Sequence, residues 1–122
     1  MAFLWVAIGG AMGALARFGV SELVAKVIGR GWVPAATLLV NVVGCLVIGY
    51  VARRHAEGDV AWLIANRPLV VAGVCGGLTT FSTFGLEVVE LLATKPILAI
   101  ALVLAHVGGG LGAVWLGMKL GG

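Results

Sequence analysis

Gly73-Val74-Cys75-Gly76-Gly77-Leu78-Thr79-Thr80-Phe81-Ser82-Thr83-Phe84 is a stretch that a plain lipid-facing helix would not contain, yet it lies inside an uncharged run from Pro68 to Leu86. Adjacent glycines followed by two threonines weaken helical preference. In hydrocarbon, a backbone group released from a helix finds no water to bond. The stretch therefore reads as a transmembrane helix broken near its middle, with protein or a water-filled cavity around the break. Carbonyls freed at such a break are hard oxygen ligands, which points to a central monovalent metal ion. On the helix that resumes, Phe81 and Phe84 are three residues apart and share a face, with Ser82 and Thr83 beside them. The electropositive edge of a phenyl ring meets an anion without fixing a strong charge in its path, and the hydroxyls of Thr80, Ser82 and Thr83 supply hydrogen-bond donors. Taken alone, a Phe pair at this spacing is more often ordinary helix packing.

Outward from this segment the chain is more of the same solvent. Of its 122 residues 61% are hydrophobic and 11% charged, with a mean hydropathy of +1.16. Gly31 to Ala52 and Pro96 to Met118 are also uncharged or nearly so, each close to the roughly 20 apolar residues that cross a bilayer. The N-terminal stretch is apolar through Ala16 and then carries Arg17, Glu22 and Lys26. It counts as a further span and not as a secretion signal, because such signals begin with basic residues. The expectation is an all-α membrane protein with four transmembrane helices at about 3–28, 32–52, 68–92 and 96–118 in a single domain. Nearly all of the chain is committed to spans, which leaves no room for a soluble catalytic domain and argues against an enzyme. Trp5, Trp32 and Trp115 fall near span ends, where indoles favour the headgroup layer. The connections are Gly29 to Gly31, a longer polar loop from Arg53 to Arg67, and Ala93 to Lys95.

Charge distribution bears on orientation. The formal charge of +3 forms no basic patch, so nucleic acid is not an expected partner. One side of the membrane would hold Arg53, Arg54, Arg67 and Lys119, the other Lys26, Arg30 and Lys95. So small a difference gives the insertion machinery little reason to prefer either orientation. Two oppositely inserted copies would pair about an axis in the membrane plane, giving an antiparallel, dual-topology homodimer. Among the 20 glycines, Gly9 with Gly13, Gly73 with Gly77, and Gly108 with Gly112 are spaced for close helix contact. Cys45 and Cys75 read as small packing residues.

Other polar residues stand inside spans. Thr37, Asn41 and Gly44 share one face of the second. The Asn41 amide suits an anion with its two N–H donors, and equally suits a hydrogen bond between helices. Arg17 either draws anions to a vestibule or pairs with a neighbouring helix end.

Gly9-Gly10 through Gly13-Ala14 to Arg17, the run from Pro34 to Asn41 with Gly44, and above all Gly76 to Phe84 resemble the Fluc/CrcB fluoride channels along essentially the whole chain. That resemblance implies a passive fluoride-selective channel of the inner (plasma) membrane that lowers cytoplasmic fluoride. It implies a dual-topology dimer with fluoride and sodium as its ions, the sodium held between copies by the backbone carbonyls of Gly76 and Thr79. It further implies Phe81 and Phe84 as pore phenylalanines, Asn41 as the pore asparagine, Ser82 and Thr83 as the hydroxyl track, and Arg17 near the vestibule. His106 departs from the pattern by standing where the family commonly has serine; its imidazole would either donate to the anion or be a buried structural histidine. The competing reading, a proton-coupled small multidrug exporter, requires a carboxylate embedded in the first span, which offers only Glu22 near its end. A non-transporting assembly subunit would leave the broken third span without a purpose.

Overall fold

The computed structural model describes residues 1–58 and 61–122, with the side chains of all of these but Leu63 and Ile64. The described residues contain helices and no strand. Helix α1 spans Ala2–Val27, and both Ile28 and Gly29 return their amides to the Val24 carbonyl at 2.9 and 3.0 Å. Gly29, at φ 126°, then turns the chain through a region that L side chains rarely enter. A 3-10 turn, Arg30–Trp32, leads into α2, Val33–Glu57, with Pro34 in its first turn where a missing N–H costs nothing.

Helix α2 runs past Ala52, where a loop was expected. No glycine or proline interrupts the segment before Gly58, and Arg53 reaches Glu57 one turn on at 2.6 Å. Gly58, at φ 70°, closes the helix with its amide on the His55 carbonyl. The short helix α3, Ala61–Ala65, occupies more of the expected loop; Asp59 and Val60 of that loop lie outside the described residues. The chain then enters a π-wound segment, Pro68–Cys75, followed by one turn of α4, Gly76–Leu78, and by α5, Phe81–Thr94. Lys95 alone separates α5 from α6, Pro96–Gly121. Four stretches are long and apolar enough to cross a membrane: Ala2–Val27, Arg30–Glu57, Pro68–Thr94 and Pro96–Gly121. A helix of 26 residues is roughly 39 Å long at 1.5 Å per residue, more than the ~30 Å hydrocarbon layer.

Two interlocked pairs hold these helices together. α1 packs on the third stretch through glycines: a Cβ on Gly9 would strike the Leu69 carbonyl, and one on Gly73 would lie 2.8 Å from Gly9 Cα. One turn on, a Cβ on Gly13 would strike the Val74 carbonyl, and one on Gly77 would lie 3.0 Å from the Ala14 amide nitrogen. The first and middle glycine pairs of the sequence are thus the two halves of one contact. α2 meets α6 the same way through Gly49 and Gly117, not through Gly108 and Gly112, whose Cβ positions face open space within the chain.

The interior is built of small residues, Ala36, Val40, Ala99 and Ala113 among them, while large apolar side chains point outward, Phe3 being 92% exposed. Water-soluble packing reverses this arrangement. Lipid tails are as apolar as leucine, so close backbone approach between small residues does the holding.

A methyl group at Gly13 has backbone on its path and nowhere to go. Gly13→Ala is expected to destabilise the detergent-solubilised protein by about 1–3 kcal/mol, the usual cost of overpacking. Gly19→Ala, where a Cβ meets open space, should be neutral or stabilising. Thermal unfolding followed by tryptophan fluorescence compares the two, and equal midpoints would refute the glycine contact.

Candidate functional site

The third stretch is interrupted at two residues. Thr79 (φ −85°, ψ 152°) and Thr80 (φ −151°, ψ 118°) are both extended, between the end of α4 and the start of α5. An unbroken α-helix would take the Thr80 amide to the Gly76 carbonyl and the Thr83 amide to the Thr79 carbonyl. Here both amides go elsewhere. Thr80 N–H donates to Asn41 Oδ1 at 2.7 Å, and Thr83 N–H donates to Thr80 Oγ1 at 3.2 Å as an ordinary N-cap. The Asn41 amide also donates to the Thr80 carbonyl at 3.1 Å, so one side chain of α2 binds both polar groups of an extended residue. Thr79 turns back instead: its amide and its hydroxyl both donate to the Cys75 carbonyl, at 3.0 and 2.8 Å. From α1, Arg17 Nε donates to the Gly77 carbonyl at 3.1 Å. Gly44 makes room for all this, because a Cβ there would collide with the Thr79 methyl group.

Hydroxyls collect at the start of α5. Thr80 Oγ1 donates to Thr83 Oγ1 at 2.9 Å and lies 3.4 Å from Ser82 Oγ. On the same helix Phe81 and Phe84 lie with ring centroids 5.6 Å apart, tilted by 58°, and Phe84 rests on His106 of α6 at 4.1 Å. A cleft of ≈ 400 Å³ opens here, and Asn41, Gly76, Thr79, Phe81, Phe84 and His106 all line it. All six were singled out in the sequence. Ser82 and Thr83 do not line it; their hydroxyls meet that of Thr80 at the start of α5. Arg17 does not line it, being tied to Gly77 from the α1 side.

Thr37, the remaining residue of the set, leads to a group the sequence reading missed. Thr37 is 2% exposed, and its hydroxyl donates to Glu87 Oε1 at 2.6 Å; Glu87 is itself only 8% exposed. A buried carboxylate inside a span demands a partner. The signal was present in the spacing, since Glu87 follows Phe84 by three residues on the same helix face. The uncharged run ends at Leu86, one residue short of Glu87.

The chain matches the family described as "CrcB-like protein, Camphor Resistance (CrcB)" over residues 4–118. It belongs to the CrcB family. A protein of Methanopyrus kandleri named fluoride-specific ion channel FluC is 45% identical over 113 residues, covering 93% of this chain and 83% of that one. Fluoride-specific ion channel FluC 2 of Rhodococcus jostii is 40% identical over 121 residues, 98% of each. The FluC protein of Aeromonas salmonicida is 46% identical over 89 residues, 73% of this chain and 70% of that one. Membership in the CrcB family and four stretches fit to cross a bilayer make this a multi-pass membrane protein.

The Asn41 clamp yields a graded expectation. In Asn41→Asp the acceptor for the Thr80 amide remains, whereas Asn41→Leu strands both the amide and the carbonyl, at about 1–3 kcal/mol for each unsatisfied group. Amide hydrogen exchange at Thr80 should accelerate strongly in the leucine variant and little in the aspartate variant; equal protection in both would show that Asn41 does not hold the break.

Proposed function

We propose that this CrcB-family chain is a passive fluoride-selective channel, working as an antiparallel dual-topology homodimer in the plasma (inner) membrane. The observation that carries the reading is similarity along the whole chain to proteins named fluoride-specific ion channels. The cleft adds chemistry suited to that task. Phenyl edges at Phe81 and Phe84 and the hydroxyls of Thr80, Ser82 and Thr83 meet an anion as it sheds water, without a fixed cation to trap it. The membrane potential then drives the ion outward, which lowers fluoride in the cytoplasm.

The dimer finds support in what one chain leaves open. Phe81 is 83% exposed, and the Cβ positions of Gly108 and Gly112 on α6 meet nothing within 4 Å among the described residues. A second copy on these surfaces would enclose the cleft, and the near balance of basic residues between the two sides permits opposite insertion. In this arrangement the break lies deep in the membrane, shielded from lipid.

Sodium belongs to the same reading, held by the Gly76 and Thr79 carbonyls of both copies. The donor set fits: the two amides diverted to Asn41 and to the Thr80 hydroxyl are the ones that would otherwise occupy these carbonyls. Hard carbonyl oxygens released from helix bonding suit an alkali cation, whose positive charge would offset the carbonyl dipoles. The multidrug-exporter alternative loses ground, because the buried carboxylate stands in the third stretch and not in the first.

Purified protein in liposomes should pass fluoride under an imposed potassium-diffusion potential and exclude chloride. Phe81→Ile or Phe84→Ile, which keep bulk but remove the ring edge, should reduce the flux to that of protein-free vesicles. Absence of fluoride flux from the unaltered protein would end the channel reading; undiminished flux in both variants would remove the phenyl edges from it.

A further inference from the structure

Two side-chain atoms near Phe84, His106 Nε2 and Glu87 Oε2, are buried with no hydrogen-bond partner among the described residues. For the first of them the geometry fixes which role the atom plays. His106 Nδ1 lies 3.0 Å from the Leu102 carbonyl oxygen. A carbonyl only accepts, so the proton of the neutral imidazole resides on Nδ1 and Nε2 carries a lone pair. The ring is pinned from its face by Phe84, 4.1 Å away and inclined by 35°. Among the residues that line the cleft, His106 therefore carries a buried lone pair on Nε2 while it is neutral. Turning Nε2 into a donor by switching tautomer would strand the Leu102 carbonyl, whereas adding a proton creates a donor there and keeps the first bond.

We propose that His106 is a proton-dependent halide donor, in which a proton taken up from water by Nε2 forms the N–H that bonds fluoride beside Phe84. The inference rests on the channel reading and adds a condition to it: anion and proton share the site. The surroundings suit an added positive charge. The acidic groups nearby stand on α5: Glu87, one of whose oxygens is held by Thr37 of α2, and Glu90, one turn further. From α2 and the π-wound segment, the thiols of Cys45 and Cys75 line the same cleft, and no lysine or arginine does so among the described residues. Arg17 is engaged at Gly77. Where a serine hydroxyl donates at any pH, this histidine donates only when charged, and a charge-assisted bond is the stronger of the two.

Fluoride efflux at limiting fluoride, from liposomes at equal internal and external pH, tests the proposal once the leak of protein-free vesicles is subtracted. Between about pH 8 and about pH 5.5, the range in which histidine changes charge, the flux should rise about tenfold. In His106→Gln, whose amide donates without titrating, the rise should disappear. Independently, fluoride added to the unaltered protein in weakly buffered detergent solution should draw protons from solution, close to one per occupied site, with no need for the variant to fold. A flat pH profile with flux present, the same rise in His106→Gln, or fluoride binding without proton uptake each overturns the proposal and leaves the channel reading in place. Absence of flux at every pH overturns both.

Discussion

A backbone released from helical bonding where water is scarce must find other partners, and the arrangement around Thr80 is organised by that requirement. Its amide and carbonyl are both taken by the Asn41 carboxamide, the only kind of side chain that offers a donor and an acceptor side by side in the geometry of a peptide group. The Thr80 hydroxyl in turn caps α5. With two amides so diverted, the carbonyls of Gly76 and Thr79 are released from helix bonding without any amide being stranded. The break is thus a stable local structure, not a distortion, and its cost falls on acceptors, which are the groups able to face a cation.

Glycine decides where this local structure sits. The contact of Gly9 and Gly13 with Gly73 and Gly77 brings the backbone of α1 against the turn that precedes the break. That approach carries Arg17 to the Gly77 carbonyl, so a charge deep in a span is matched by the carbonyl end of a terminated helix. On the opposite side Gly44 admits the Thr79 side chain and places Asn41 within reach of Thr80. Packing without large side chains is what lipid demands, since burial of leucine between helices gains little over leucine in lipid.

Phe84 and His106 line the cleft, and the buried pair of Glu87 and Thr37 stands one turn beyond Phe84 on α5. Hydroxyls gather at the start of α5, a buried carboxyl group lies about one turn further along it, and the His106 imidazole of α6 packs on Phe84. Among the described residues the Glu87 carboxyl group is bonded at one oxygen only, and the imidazole at one nitrogen only. Such half-satisfied groups are costly in a low-dielectric setting and point to a working part of the molecule, not to a scaffold.

Hydropathy alone marked the four spans, because a bilayer imposes one length and one composition on any helix that crosses it. The interruption after Leu78 was also legible: glycines and threonines at the centre of an apolar run conflict with continuous helix wherever no water can relieve them. Residues beside the interruption, from Phe81 to Thr83, carried their chemistry in their order along one helix. Partnerships between helices were not legible in this way. That Asn41 clasps Thr80, that Arg17 meets Gly77 and that Thr37 binds Glu87 depends on pairings 39 to 60 residues apart in the chain, which no local spacing encodes. Nor did the letters say that α2 would run on to Glu57, or that Gly117 and not Gly108 would meet α2, because helix ends and contact faces are settled by what packs against them. The sequence by itself determined which segments must leave water and where helix must fail; only the folded chain decided which side chain answers each freed backbone group, since that depends on which helices the glycines allow to touch.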